Sequence, residues 1–142
     1  MSRGQCLCGE VAFELDAQRL KLYRCHCSLC RRQSGTATNC AAIVDAPRFR
    51  WVRGQAAVAS WTKQTGFRSD FCSRCGSPVP NPLRDLASYW VPAGLLDDLY
   101  QFEVIADFHM SSKAPWDTTS PNSHQFESLP SIEEFLALMH NE

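Results

Sequence analysis

The sequence lacks any apolar run near the ~20 residues that cross a bilayer, so no membrane span is expected. It also lacks an imbalance of charge: 14 Lys and Arg against 15 Asp and Glu leave a formal net charge of −1. That excludes a general electrostatic pull toward nucleic acid or an anionic membrane surface. A basic tail, which would support nucleic-acid or cytoskeletal binding, is missing as well. So are low-complexity tracts, linkers and internal repeats beyond paired thiols, and residues 1–142 are read as a single domain. The start Met1-Ser2-Arg3-Gly4-Gln5-Cys6 has no hydrophobic segment of the signal-peptide kind, which sets the expectation of an intracellular, cytoplasmic chain. Disulfides are disfavoured in that reducing compartment.

What the chain does have is cysteine. Eight thiols fall in C-x-C and C-x-x-C spacings, which point to metal rather than disulfides. The stretch Cys25-His26-Cys27-Ser28-Leu29-Cys30-Arg31-Arg32 packs three thiols into six residues and follows them with two guanidiniums. Three soft ligands so close together suit zinc, whose bonds to sulfur of about 2.3 Å place tetrahedral sulfurs about 3.8 Å apart. Ferredoxin-type spacings are absent, which makes iron–sulfur the lesser option. Cys6-Leu7-Cys8 and Cys72-Ser73-Arg74-Cys75 are read together as one four-thiolate site, a closed staple with no position for substrate. The triplet then has three obvious ligands. From the residues alone its fourth can be Cys40, which would account for all eight thiols, or His26, or nothing; ligand arithmetic leans toward Cys40.

Elsewhere the periodicity is mainly that of strands. Val11, Phe13 and Leu15 alternate with Glu10, Ala12 and Glu14, and Leu20 to Arg24 alternates again into Cys25. Further strands are read over residues 36–44, 49–52, 56–61, 67–71, 89–91 and 99–105, and a surface loop over 111–127. Helix is clear only near the end, where Ser131 and Glu134 form a capping box and Ile132, Phe135, Leu136 and Met139 share one face. Trp51, Trp61, Trp90 and Trp116 read as core and loop anchors. His109, among apolar neighbours, reads as a hydrogen-bonded structural residue.

In order, C-x-C-G-x-V-x-F-E at Cys6–Glu14, C-H-C-S-x-C-R-R at Cys25–Arg32 and F-C-x-x-C-G-S at Phe71–Ser77 carry a family pattern. So do Val91-Pro92-Ala93-Gly94, Leu96-Asp97-Asp98, His109 and Lys113-Ala114-Pro115-Trp116. Over residues 4–117 the chain resembles the glutathione-dependent formaldehyde-activating family, which includes centromere protein V; residues 118–142 add a loop and helix. The resemblance implies a β-tent fold of small antiparallel sheets pinned by structural zinc. It implies two zinc ions: one structural, on Cys6, Cys8, Cys72 and Cys75, and one catalytic, on Cys25, Cys27 and Cys30 with a position left open. The activity it implies is carbon–sulfur lyase chemistry, the joining of glutathione and formaldehyde to S-hydroxymethylglutathione or its reverse. The expected partners are therefore a small thiol such as glutathione and a small aldehyde. Arg31 and Arg32 would ease the negative charge of a thiolate-rich zinc site or bind a substrate carboxylate. The alternatives are a non-catalytic zinc-stapled binding module and a thiol carrier without turnover.

Overall fold

The computed structural model describes residues 2–97, 101–118 and 121–140. Ten strands and two α-helices are described: β1 (Ser2–Gln5), β2 (Ala12–Leu15), β3 (Arg19–Cys25), α1 (Ser28–Ser34), β4 (Asn39–Asp45), β5 (Phe49–Arg53), β6 (Val58–Thr62), β7 (Arg68–Cys72), β8 (Asn81–Pro82), β9 (Ser88–Pro92), β10 (Gln101–Phe108) and α2 (Ile132–Met139). They form three small sheets in the orders β1-β2-β5, β10-β3-β4-β9-β8 and β6-β7. The fold is mainly β. One pairing departs from the antiparallel expectation, since β10 runs parallel to β3, with a bulge between Val104 and Ala106. The expected strand over 99–105 is β10, shifted toward the C-terminus; Leu99 lies outside the described residues, as do Asp98 and residues 119–120 of the expected loop.

The alternation read in β2 and β3 has a direct physical outcome. Leu20 and Leu22 of β3, Ala42 and Val44 of β4 and Val91 of β9 line one face of the five-stranded sheet. Phe13 and Leu15 of β2 pack against them with Leu96, forming the larger core. Burying these side chains contributes roughly 1.5–3 kcal/mol for each large one, an upper estimate. A smaller core of Cys6, Val11, Cys72 and Val79 sits beside the paired thiols. Glu14 was expected on the solvent side of β2 but is buried, where Arg3 Nε donates to Oε1 at 3.1 Å and Arg50 donates to Oε2. Those guanidiniums, Arg50 above all, hold its carboxyl below the usual range.

Two expectations need correction. A helix, α1, follows β3 although the sequence shows helix clearly only near its end; the seven residues of α1 hold just two apolar side chains, Leu29 and Cys30, too few to mark a face. Trp90 is buried, but Trp61 and Trp116 are 55 % and 62 % exposed and anchor no core among the described residues. The expected helix near the end is α2, capped by Ser131 Oγ accepting from Glu134 N–H at 3.2 Å, and its shared apolar face, Ile132, Phe135, Leu136 and Met139, is exposed. No described helix is long and apolar enough to cross a membrane.

Candidate metal centres and the cavity beside them

The four paired thiols converge from distant parts of the chain. Cys6 and Cys8 sit in the turn between β1 and β2, closed by Gly9 N–H donating to Cys6 O at 3.0 Å with Gly9 at φ +80°. Cys72 ends β7, and Gly76 N–H donating to Cys72 O at 2.7 Å wraps the chain so that Cys75 faces back. The sulfurs of Cys6, Cys8, Cys72 and Cys75 all lie within 4.8 Å of one another, with Cys6–Cys8 at 3.7 Å and Cys8–Cys72 at 3.9 Å. That spacing is what a tetrahedral ion with bonds of about 2.3 Å to sulfur requires. Ser77 joins the two turns, a role the sequence did not signal. Its hydroxyl accepts Leu7 N–H at 2.9 Å and lies 3.4 Å from Cys75 Sγ. The Ser77 hydroxyl and backbone N–H bring the Cys75 thiol down to about 5.

The second cluster is local. Cys25 closes β3, Cys27 caps α1 and Cys30 lies in its first turn, and their sulfurs also fall within 4.8 Å of one another. Cys27 Sγ itself accepts Cys30 N–H at 3.4 Å, and Gly35 in the left-handed region ends the helix. Burial pushes the Cys27 thiol up, but the surrounding donors outweigh it and the net shift is downward. Burial raises that of Cys30. Both clusters can therefore hold metal ions: one offers four thiols, the other three.

Neither proposed fourth ligand joins the triplet. Cys25 pairs across the sheet with Asn39, whereas Cys40 pairs with Arg24 and so points to the opposite face, against the core. The His26 ring turns away from the thiols: it is buried, Nε2 lies 2.9 Å from Asp107 Oδ1, and Nδ1 is 3.8 Å from Asp117 Oδ2, beyond hydrogen-bond distance. Asp107 also accepts two bonds from Arg24, at 2.8 and 3.1 Å. With His26 N–H donating to Phe108 O at 2.9 Å, β10 thus grips the peptide between two of the thiols.

The same alternation that sends Leu20 and Leu22 into the core sends Tyr23 and Cys25 to the other face. Asn39, Trp90 and Asn81 share that face by register, and together they floor a cavity of about 630 Å³ that reaches Cys30. Its walls come from α1, the β6–β7 hairpin and the chain after β8, with Gln33 Nε2 donating to Ser69 Oγ at 3.2 Å as a tie between helix and hairpin. Among the described residues, Lys63, Arg68 and Arg84 line it and no carboxylate does. Arg68 is committed to buried Asp70 through two bonds, at 2.8 and 2.9 Å. Asn39 donates Nδ2 to Gln33 Oε1 at 3.1 Å and keeps a buried Oδ1 without a partner. Trp90 Nε1–H donates to the Tyr23 hydroxyl at 2.7 Å. Burial, with the nearby thiols, pushes the Tyr23 phenol up to about 12.

Arg31 and Arg32 stand outside this cavity. Arg31 donates to Ser112 O at 3.3 Å and Arg32 is exposed. His109 is exposed at φ +58° and uses its backbone O to accept Ser112 N–H, so it is not part of either cluster.

A family model described as glutathione-dependent formaldehyde-activating enzyme matches residues 1–112. The chain belongs to this family. The matched span contains all eight cysteines and every cavity-lining residue named above. A search of curated proteins returns no match. Among solved structures, a Rhodobacter sphaeroides protein from a structural-genomics programme superposes with a TM-score of 0.55 at 25 % identity, covering 71 % of this chain and 99 % of that one. The family thus extends over both thiol clusters and stops short of α2.

Proposed function

We propose that this chain is a zinc-dependent carbon–sulfur lyase or synthase, acting on a glutathione-like thiol and a small aldehyde. The observation that carries the reading is the asymmetry between the clusters: four thiols close one of them, while three form the other beside a cavity. The donor set fits zinc, with Cys6, Cys8, Cys72 and Cys75 holding a structural ion and Cys25, Cys27 and Cys30 a second with one position free. Zinc held by three thiolates supplies Lewis-acid stabilisation of a substrate thiolate near neutral pH.

The chain's own residues supply recognition. A cavity of 630 Å³ is of the size that takes a tripeptide-like ligand. Its cationic lining, with no opposing carboxylate among the described residues, favours an anionic substrate, and Lys63 and Arg84 replace Arg31 and Arg32 as the preferred carboxylate contacts. Amide side chains at Gln33, Asn39, Gln64 and Asn81 suit peptide groups. The family's named reaction uses a thiol of this class.

The test is glutathione added to cobalt-substituted protein. A new sulfur–metal charge-transfer band, together with S-hydroxymethylglutathione formed or broken down faster than the uncatalysed background, is expected. A band without turnover would reduce the protein to a thiol carrier. No response to any small thiol would sink the reading and favour a zinc-stapled binding module.

A further inference from the structure

The reaction proposed above creates a group for which the cavity floor has a specific partner. When a thiolate adds to an aldehyde, the sulfur lone pair forms the new C–S bond and the carbonyl π pair moves onto oxygen. That oxygen then takes a proton from water to become a carbinol; the reverse step returns the proton, breaks the C–S bond and restores C=O. Charge therefore develops at one oxygen, one carbon away from the sulfur. A hydrogen-bond donor already fixed in direction at that place lowers the barrier in both directions.

Tyr23 is the phenol that the fold sets on the floor of this cavity. It lies on the cavity face of β3, two residues before Cys25, and lines the cavity with Cys30. Its oxygen already accepts the Trp90 indole N–H at 2.7 Å. One lone pair of the phenol is thereby occupied, and the O–H has no acceptor among the described residues. Indole is a donor only, so Trp90 can never compete for that proton. The ring is held on its other side by Phe108, with centroids 5.2 Å apart. Asn39 lies diagonally across the strand pair on the same face, since Tyr23 pairs with Ala41 and Cys25 with Asn39.

We infer that the Tyr23 hydroxyl is a catalytic residue of the proposed reaction, donating a hydrogen bond to the oxygen of the thiol–aldehyde adduct as that oxygen gains charge. Tyr23 acts as a fixed donor that remains a phenol throughout, and Trp90 is the positioning residue that aims it. The inference rests on the thiol–aldehyde reading and adds the specific expectation that the site recognises a hydroxyl.

Two tripeptides test it on the zinc-loaded protein by calorimetry. In γ-glutamyl-δ-hydroxynorvalyl-glycine a CH₂ replaces the sulfur of S-hydroxymethylglutathione and leaves the hydroxyl in place; γ-glutamyl-norvalyl-glycine lacks the hydroxyl. The wild-type protein should bind the hydroxylated tripeptide about fivefold to tenfold more tightly, the worth of one net hydrogen bond. Tyr23→Phe, which keeps the ring against Phe108, should bring the ratio to one. In turnover the same variant should lower kcat by about tenfold or more, with KM for glutathione unchanged. Equal binding of the two tripeptides by wild type overturns the role of Tyr23 whether or not the variant folds, as does a kcat unaffected by Tyr23→Phe. If neither tripeptide nor glutathione binds, the thiol–aldehyde reading itself falls and takes this one with it.

Discussion

The two thiol clusters use the same ligand chemistry on opposite structural terms. The four-thiol cluster joins turns that are 64 residues apart between Cys8 and Cys72, and its sulfurs extend the smaller core. The three-thiol cluster draws on six consecutive residues at the junction of β3 and α1 and sits beneath a cavity. An ion at the first closes a long loop and contributes folding free energy directly. An ion at the second closes almost nothing, because the strand and helix already fix its ligands. On the proposed reading, long-range closure makes the first cluster a staple and local presentation beside a cavity makes the second a site.

The sharpest way to break this contrast is to remove one ligand from each cluster. Cys75→Ser should abolish soluble expression or unfold the chain, since zinc sites of this type are worth about 10–16 kcal/mol against a typical domain stability of 5–15. Cys27→Ser should leave a folded protein with one ion fewer and no response to glutathione. Metal analysis and circular dichroism read both variants, and a well-folded Cys75→Ser protein with two ions would invert the assignment.

A second comparison sets the cavity cations against the arginines beside Cys30. Lys63→Ala and Arg84→Ala should each weaken glutathione binding by about 1.5 kcal/mol, the low end for a charge-assisted bond because both side chains are exposed. Arg31→Ala should change it little, since its guanidinium is turned toward Ser112 O. Calorimetry that found the opposite order would return the carboxylate contact to α1.

The grip of β10 on the triplet has its own pH signature. Arg24 first, then His26, holds the Asp107 carboxyl down to about 2 from an ordinary value of 3.8. A depressed carboxyl contributes stability that is full above 3.8 and is lost as pH falls through 2. Asp107→Asn has no charge to lose. The gap in melting temperature between the two proteins should therefore be widest above pH 4 and close toward pH 2. A gap that does not change over that range would mean that packing, not the ion pair, holds β10 to β3.

How much of this was legible depends on sequence distance. The three-thiol cluster, each half of the four-thiol cluster and the core faces of β2 and β3 follow from spacing and period, which are local properties; joining the two halves rests on the preference of zinc for four ligands. α1 was not legible, because its cap is a cysteine rather than Ser, Thr, Asp or Asn, and seven residues give too little period. The Cys27–Gly35 spacing, with Arg31 and Arg32 in the last turn, was the signal that could have marked it. The cavity was hidden for a different reason. Lys63, Arg84 and Asn81 reach the triplet only through the β6–β7 hairpin and the β8–β9 pairing, and no local pattern announces such contacts. The parallel β10–β3 pairing is equally non-local, joining residues about 80 positions apart, as in Gln101 with Arg19.

The smallest expected effect belongs to Cys40, and it decides whether the triplet is open. Counting thiols favours a fourth ligand there, because it would leave no cysteine over. Strand geometry opposes this: a one-residue step along β4, from Asn39 to Cys40, moves the side chain from the cavity face to the core face. No rotamer change brings it back through the sheet. Cys40 then behaves as a small, partly buried apolar residue packed against the larger core. Cys40→Ala should keep both ions and cost no more than about 1 kcal/mol, as deletion of one small buried group does. Metal stoichiometry and a urea melt are enough to measure it. Loss of the triplet's ion in this variant would require β4 to shift register by one residue when metal binds. It would close the site with a fourth thiolate, and the case for a substrate position beside Cys30 would go with it.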